Sequence, residues 1–180
     1  MLEAALRRYL RGRRVDVRRI ATELGIGRTT VYRWFGSREG LVGEVLVRAV
    51  EPLIAEARAG ASGTGGDALL DTFDRINRSL AAAPALRRFL EQERDALRIL
   101  TSSAGGVHPR MVERVAALID DEVAAGTYEP PVDSATLGYA IVRLAEAFLY
   151  SDADGLRGDV ERLRDVEAAL LGVRHAPHEA

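Results

Sequence analysis

"DVRRIATELGIGRTTVYRWFGSREGL", residues 16–41, is the stretch that decides the fold. It holds two short helical patterns on either side of Gly25-Ile26-Gly27. Asp16 is suited to cap the first, residues 17–24, because its carboxylate accepts an otherwise free N–H of the first helical turn. The second pattern, residues 28–35, mixes hydroxyls, arginines and aromatics. Ile20, Leu24, Ile26, Val31 and Trp34 fall where two crossing helices would meet. Ala21 is small enough for close backbone approach, and Gly25 tolerates the positive φ of a sharp turn. A helix pair with so short a turn and a polar second helix has helix-turn-helix geometry. The competing reading is an ordinary helical hairpin in a core.

Working outward, the rest of the chain also reads as helix, since strand-period alternation is missing. A first helix covers residues 2–10. Gly36-Ser37 breaks the third helix, and Ser37 is suited to cap a long fourth, residues 38–59. "AGASGTGG", residues 59–66, is the clearest loop. Beyond it, Asp67 is expected to cap a helix to residue 83. Pro84 opens another to about residue 102, with a break inside it. Further helices are expected at 108–125, at 134–150 behind an Asp133 cap, and at 158–171. The fold class is all-α: a helix-turn-helix head, residues 1–48, on a helical body, residues 49–180.

Charge is divided unevenly. The chain carries a net charge of −2. Residues 1–48 hold 11 Arg against 5 acids, a net of +6. A basic head on an acidic body suits contact with a polyanion. Arg28 and Thr29 open the second helix of the pair, the end that reaches base edges in the major groove. Arg28 can pair bidentately with guanine, and Thr29 can meet a base or a thymine methyl. Thr30, Tyr32 and Arg33 suit phosphate, as do Arg18 at the start of the preceding helix and Arg38 at the start of the following one. Arg13, Arg14 and Arg19 read as solvated charge.

The run "TTVYRWF" followed by "SREGL" resembles the DNA-binding module of the TetR family of one-component bacterial transcriptional regulators. The resemblance covers residues 16–46. It implies that Thr30 and Tyr32 contact DNA and that Arg38 contacts a flanking phosphate. Gly27 stands where the family often carries a capping Ser. The resemblance further implies a homodimer that binds double-stranded operator DNA and whose body takes a small, largely apolar effector, most simply as a repressor released by that effector. The C-terminal half is similar to regulators of lactone-degrading quorum-signal enzymes. The other reading is a constitutive DNA-binding or interaction protein with no effector.

In the body, the segment 134–150 is apolar nearly all round, which requires cover on every side. Together with Leu156 and, in the last helix, Val160, Leu163, Val166 and Leu170, it is expected to form a four-helix dimer interface. Arg143, Glu146 and Tyr150 share one face of the apolar helix, as polar groups of an effector pocket or as an internal or interface pair. Phe73, Phe89, Leu97 and Tyr128 are candidate pocket walls. The charged run 91–98 reads as a solvated face from which Glu91 or Arg94 can turn inward.

Cysteine is missing from the sequence. That excludes disulfides, thiolate catalysis and cysteine zinc sites. Of the three histidines, His175 and His178 lie in a polar tail with nothing to orient them, so no metal site is expected. No phosphate loop or nucleophile motif is present, so neither catalysis nor a cofactor is expected. No apolar run reaches membrane-spanning length, and arginines from Arg7 onward interrupt any signal-peptide core. A cytoplasmic location is expected.

Overall fold

A computed structural model describes residues 1–150 and 159–173, with Arg28 described by its backbone alone. Among the described residues every regular element is a helix. In chain order these are α1 (Leu2–Leu10), α2 (Val17–Glu23), α3 (Arg28–Phe35), α4 (Arg38–Gly60), α5 (Gly65–Ala82), α6 (Pro84–Gln92), α7 (Ala96–Thr101), α8 (Val107–Ala124), α9 (Ser134–Tyr150) and α10 (Val160–Leu171). They pack as two compact units. The first is Met1–Pro52 with Ala83–Arg110, and the second is Leu53–Ala82 with the described residues from Met111 onward. Where residues 1–48 are expected to form the head, α6 and α7 pack with that segment in one unit.

The caps read from sequence are in place. Asp16 Oδ1 accepts the Arg19 N–H at 3.1 Å, and Ser37 Oγ accepts the Gly40 N–H at 2.9 Å. Asp133 accepts both the N–H and the hydroxyl of Thr136, at 2.9 and 2.7 Å. Pro84 opens α6, where a missing N–H costs nothing. One start differs. α5 begins at Gly65 rather than behind Asp67, because the Gly65 N–H donates to the Glu122 carboxylate at 2.7 Å. A distant acceptor satisfies the helix start that a local cap was expected to satisfy.

In the first unit, α1 packs on α2 and α6, α2 on α3, and α6 on α7. Ala5, Tyr9, Ile20, Ala21, Val31 and Leu41 are buried there. Tyr9 and Phe89 meet edge to face, with centroids 6.2 Å apart. Two residues expected inside are outside: Leu24 is 45% and Trp34 53% exposed. α2 ends at Glu23, so Leu24 is a capping residue that has left the helical phase. On α3, position 35 lies about 40° from Val31 and position 34 about 60° to the other side. Half-buried Phe35 therefore takes the inner place, and Trp34 rests edge-on against its ring at 6.4 Å.

In the second unit, α10 packs on α5 and α9, and α5 on α9. Leu69, Leu70, Phe73, Ile119, Leu137, Ile141, Ala168 and Leu171 form the core. Leu163 is completely buried within this one chain. It has no surface left for a partner, so its expected place in a dimer interface is corrected. Leu170 packs against the core. Val166 is 38% exposed, Val160 is half-buried, and Leu156 lies outside the described residues.

Two buried glutamates of this unit have opposite electrostatics. Glu122 accepts from the Thr127 hydroxyl at 2.6 Å, the Gly65 N–H and the Arg58 guanidinium. The Thr127 bond, then those from Arg58 and Gly65, hold its carboxyl below the ordinary value. Glu167 is fully buried and, among the described residues, accepts only the Asn77 amide, at 3.0 and 3.2 Å. Burial pushes its carboxyl from 4.5 up to about 8, with Asp74 adding to the rise.

Opposite pH dependences follow. The folded chain keeps a proton on Glu167 that the unfolded chain gives up near 4.5, so this residue erodes stability as pH rises from about 4.5 to about 8. Glu122 contributes stability above its ordinary 4.5, and the contribution is lost as pH falls below that value. Thermal unfolding of Glu167→Gln is expected to show a higher Tm than wild type at pH 8 and little difference at pH 5. Glu122→Gln should lower stability at pH 7 by about 2 kcal/mol, with the deficit shrinking toward pH 3.

Candidate nucleic-acid interface

The interface is built around a helix of eight residues. So short a helix is marginal alone, and its ends are fixed by the turns that flank it. Gly25, at φ +64°, turns the chain out of α2. The Ile26 N–H then closes the turn on the Ala21 carbonyl at 2.9 Å. Gly27 occupies the N-cap in extended backbone and offers no side-chain cap. Its carbonyl still accepts the Thr30 and Val31 N–H groups at 3.1 and 3.3 Å. At the far end Gly36, at φ +69°, donates its N–H to Tyr32 at 2.8 Å and lets the Ser37 cap begin α4.

Between these turns, burial divides α3 by face. Val31 is buried and Phe35 half-buried. Thr29, Tyr32, Arg33 and Trp34 are exposed and Thr30 half-buried. Tyr32 is 50% exposed, so half of a large polar-tipped ring stands in water. Beside it runs a groove of about 400 Å³ lined by Arg14, Val15, Asp16, Val17, Arg18, Ala21, Val31, Tyr32 and Arg38. Three arginines and a phenol on one groove suit phosphate. The Asp16 carboxylate on the same groove is held by the α2 cap, chiefly the Arg19 N–H, which also keeps its pKa low.

The expected DNA-contacting residues therefore come together in the first unit: Arg18, Thr29, Thr30, Tyr32, Arg33 and Arg38 are at or beside α3. The Arg28 side chain lies outside the described residues. Arg14, read as solvated charge, lines the groove instead. Arg19 is bound to Glu23 at 2.9 Å, and Arg8 reaches the same carboxylate at 3.3 Å.

Sequence reasoning missed Glu93. It sits in the run read as a solvated face, yet only 7% of it is exposed. The run is broken between α6 and α7, and Glu93 is the residue that ends α6. Its carboxylate binds both terminal nitrogens of Arg38, Nη1 at 3.3 Å and Nη2 more closely. Arg14 Nε lies 3.8 Å from the same carboxylate. These bonds raise the Arg38 guanidinium above its already high ordinary value, so Arg38 stays cationic at any working pH. A buried acid at the end of a short helix has a weak sequence signal: Glu93 sits three residues before apolar Ala96 and four after Phe89, on the spacing of a buried stripe.

The expected effector residues divide between the units. Phe73 belongs to the core of the second. Half-buried Tyr128 donates its hydroxyl to the Leu171 carbonyl at 3.0 Å. Arg143 Nη1 bonds Glu146 at 2.9 Å, its Nε bonds the Tyr139 hydroxyl at 3.2 Å, and its guanidinium lies over the Tyr139 ring. Tyr150 is half-buried at the end of α9. Phe89 belongs to the first unit, packed on Tyr9. Arg94 and Leu97 belong there too, and both are exposed, Leu97 by 48%. Arg94 therefore does not turn inward.

Comparison with known proteins agrees with this arrangement. Residues 10–45 match the model of bacterial regulatory proteins of the tetR family. Residues 64–172 match the tetracyclin repressor-like C-terminal domain. The structure of the transcriptional repressor QsdR of R. erythropolis, from the TetR family, superposes with a TM-score of 0.89 at 32% identity, over 99% of this chain and 95% of that one. The HTH-type transcriptional regulator AlkX of Mycobacterium tuberculosis is 28% identical over 166 residues, 88% of this chain and 77% of the relative. No helix of the described residues is long and apolar enough to cross a membrane. With a helix-turn-helix in the matched N-terminal segment and a repressor-like C-terminal domain matched later in the sequence, the chain belongs to the TetR family of DNA-binding transcriptional regulators.

Proposed function

We propose that the protein is a homodimeric repressor that binds a palindromic operator and leaves it when a small, largely apolar effector binds. The observation that carries this reading is the face of α3, whose Thr29, Tyr32 and Arg33 stand exposed beside an arginine-lined groove. α3 enters the major groove with Arg28 and Thr29 at base edges. Thr30, Tyr32, Arg33, Arg18 and Arg38 hold the phosphates on either side. The family relative whose structure is described as a transcriptional repressor supports the sign of the regulation.

Two heads are needed to read two half-sites about 34 Å apart, one turn of duplex. Val160 and Val166 of α10 supply apolar surface for the second protomer. The effector is read by the second unit, where Arg143, Glu146 and Tyr150 place polar groups on the otherwise apolar α9. Its binding favours a form in which the two recognition helices no longer match the half-site spacing. Catalysis has no part in this scheme.

Three measurements test the scheme. Selection from a random duplex library should return a palindrome, and Tyr32→Ala combined with Arg38→Ala should weaken its binding at least tenfold in a gel-shift assay; unchanged binding contradicts the interface. Light scattering should give a dimer that Val166→Asp converts to monomer. An apolar compound that raises Tm should also release the selected duplex; stabilisation without release contradicts effector control.

A further inference from the structure

We infer that Glu93 is a positioning residue of the DNA interface, holding Arg38 against the groove beside the recognition helix and drawing Arg14 to the same place. The inference rests on Arg38 gripping phosphate, and it adds a residue from a different stretch of sequence to the interface.

The geometry favours holding over release. Glu93 is shielded from water, its side chain only 5% exposed, while 29% of Arg38 and 62% of Arg14 remain accessible. Arg38 binds both carboxylate oxygens, and Arg14 approaches one of them to 3.8 Å. If Arg38 left for DNA, a buried carboxylate would keep, among the described residues, only that distant partner, an arrangement proteins rarely tolerate. Arg38 has no need to leave. A guanidinium carries five N–H donors in a fixed fork. With two committed to Glu93, three remain for a phosphate, presented in a plane that Glu93 sets. A long, flexible side chain is thus ordered before DNA arrives, which removes an entropic cost of binding.

The same pair gives α6 and α7 a route to the interface. Glu93 ends α6, and Arg98 of α7 reaches Glu39, next to Arg38, at 3.4 Å. Any shift of the α6–α7 break moves the acceptor that fixes Arg38. A pure charge effect makes the opposite prediction: a carboxylate near DNA only repels, so removing it should tighten binding.

The test is a double-mutant cycle on the full-length protein, using the duplex selected by the wild type, with affinity measured across a salt series. Melting curves confirm folding of each variant. Glu93→Gln and Arg38→Ala should each weaken binding about tenfold and each lower the slope of log K against log salt by about 1. The double variant, which leaves no buried charge unpaired, should bind as Arg38→Ala alone. Glu93→Asp, which keeps the charge but draws it back, should also weaken binding. Tighter or unchanged binding by Glu93→Gln, or losses that add in the double variant, would overturn the inference. An Arg38→Ala variant with wild-type affinity and slope would instead remove Arg38 from the interface altogether.

Discussion

An eight-residue helix does not hold itself together in water. Its nucleation cost exceeds what so few hydrogen bonds return, so α3 exists because its surroundings fix it. Gly25 and Gly36 turn the chain at positive φ before and after it. Val31 anchors it, with its burial contributing about 1.5 kcal/mol, and Phe35 adds a partial anchor beside it. The Ser37 cap starts α4 at once, so that a short helix is flanked by a long one. With both ends and the inner side spoken for, the outer side is free to carry Thr29, Tyr32 and Arg33 without a stability role. A surface released from folding in this way is available for recognition.

The electrostatics follow the same division. The first 48 residues carry +6 in a chain whose net charge is −2, yet several of those cations are already paired. Arg19 and Arg8 share Glu23, and Arg38 is fixed on Glu93. The pairs on Glu23 are exposed and contribute little to stability. Glu93 is different, because its burial makes its partner obligatory rather than optional. Net positive charge draws DNA toward the head from a distance, but orientation at contact depends on which guanidiniums are already in place.

Local chemistry was legible in the sequence. Asp16, Gly25, Gly36, Ser37, Pro84 and Asp133 each act on backbone groups within four residues, so their roles could be read from neighbours alone. Ser134–Tyr150 was legible for the same reason, with a cap before it and unbroken apolar periodicity within it. Two misses are local, and the rest depend on partners distant in sequence. Leu24 and Trp34 look apolar enough to be inside, but helix phase and the end of α2 put them outside. Leu163 looks like interface and is core. Glu93 read as surface charge, and the burial of Glu122 and Glu167 went unseen. They are buried because Arg38, Arg58 and Asn77, from 55, 64 and 90 residues away, supply their hydrogen bonds. The effector residues were the least legible, since apolar side chains in a small helical body look alike whether they line a cavity or fill a core.

Hydrogen–deuterium exchange, with and without the selected duplex, tests the interface most directly. Burying α3 in the groove and clamping the start of α4 on phosphate requires backbone amides there to slow. Protection is expected across residues 27–40 and at the start of α2, with the α6–α7 break around Glu93 slowing alongside them. Protection elsewhere on the chain, with α3 exchanging at its free rate, would contradict the assignment of this helix as the DNA-reading element.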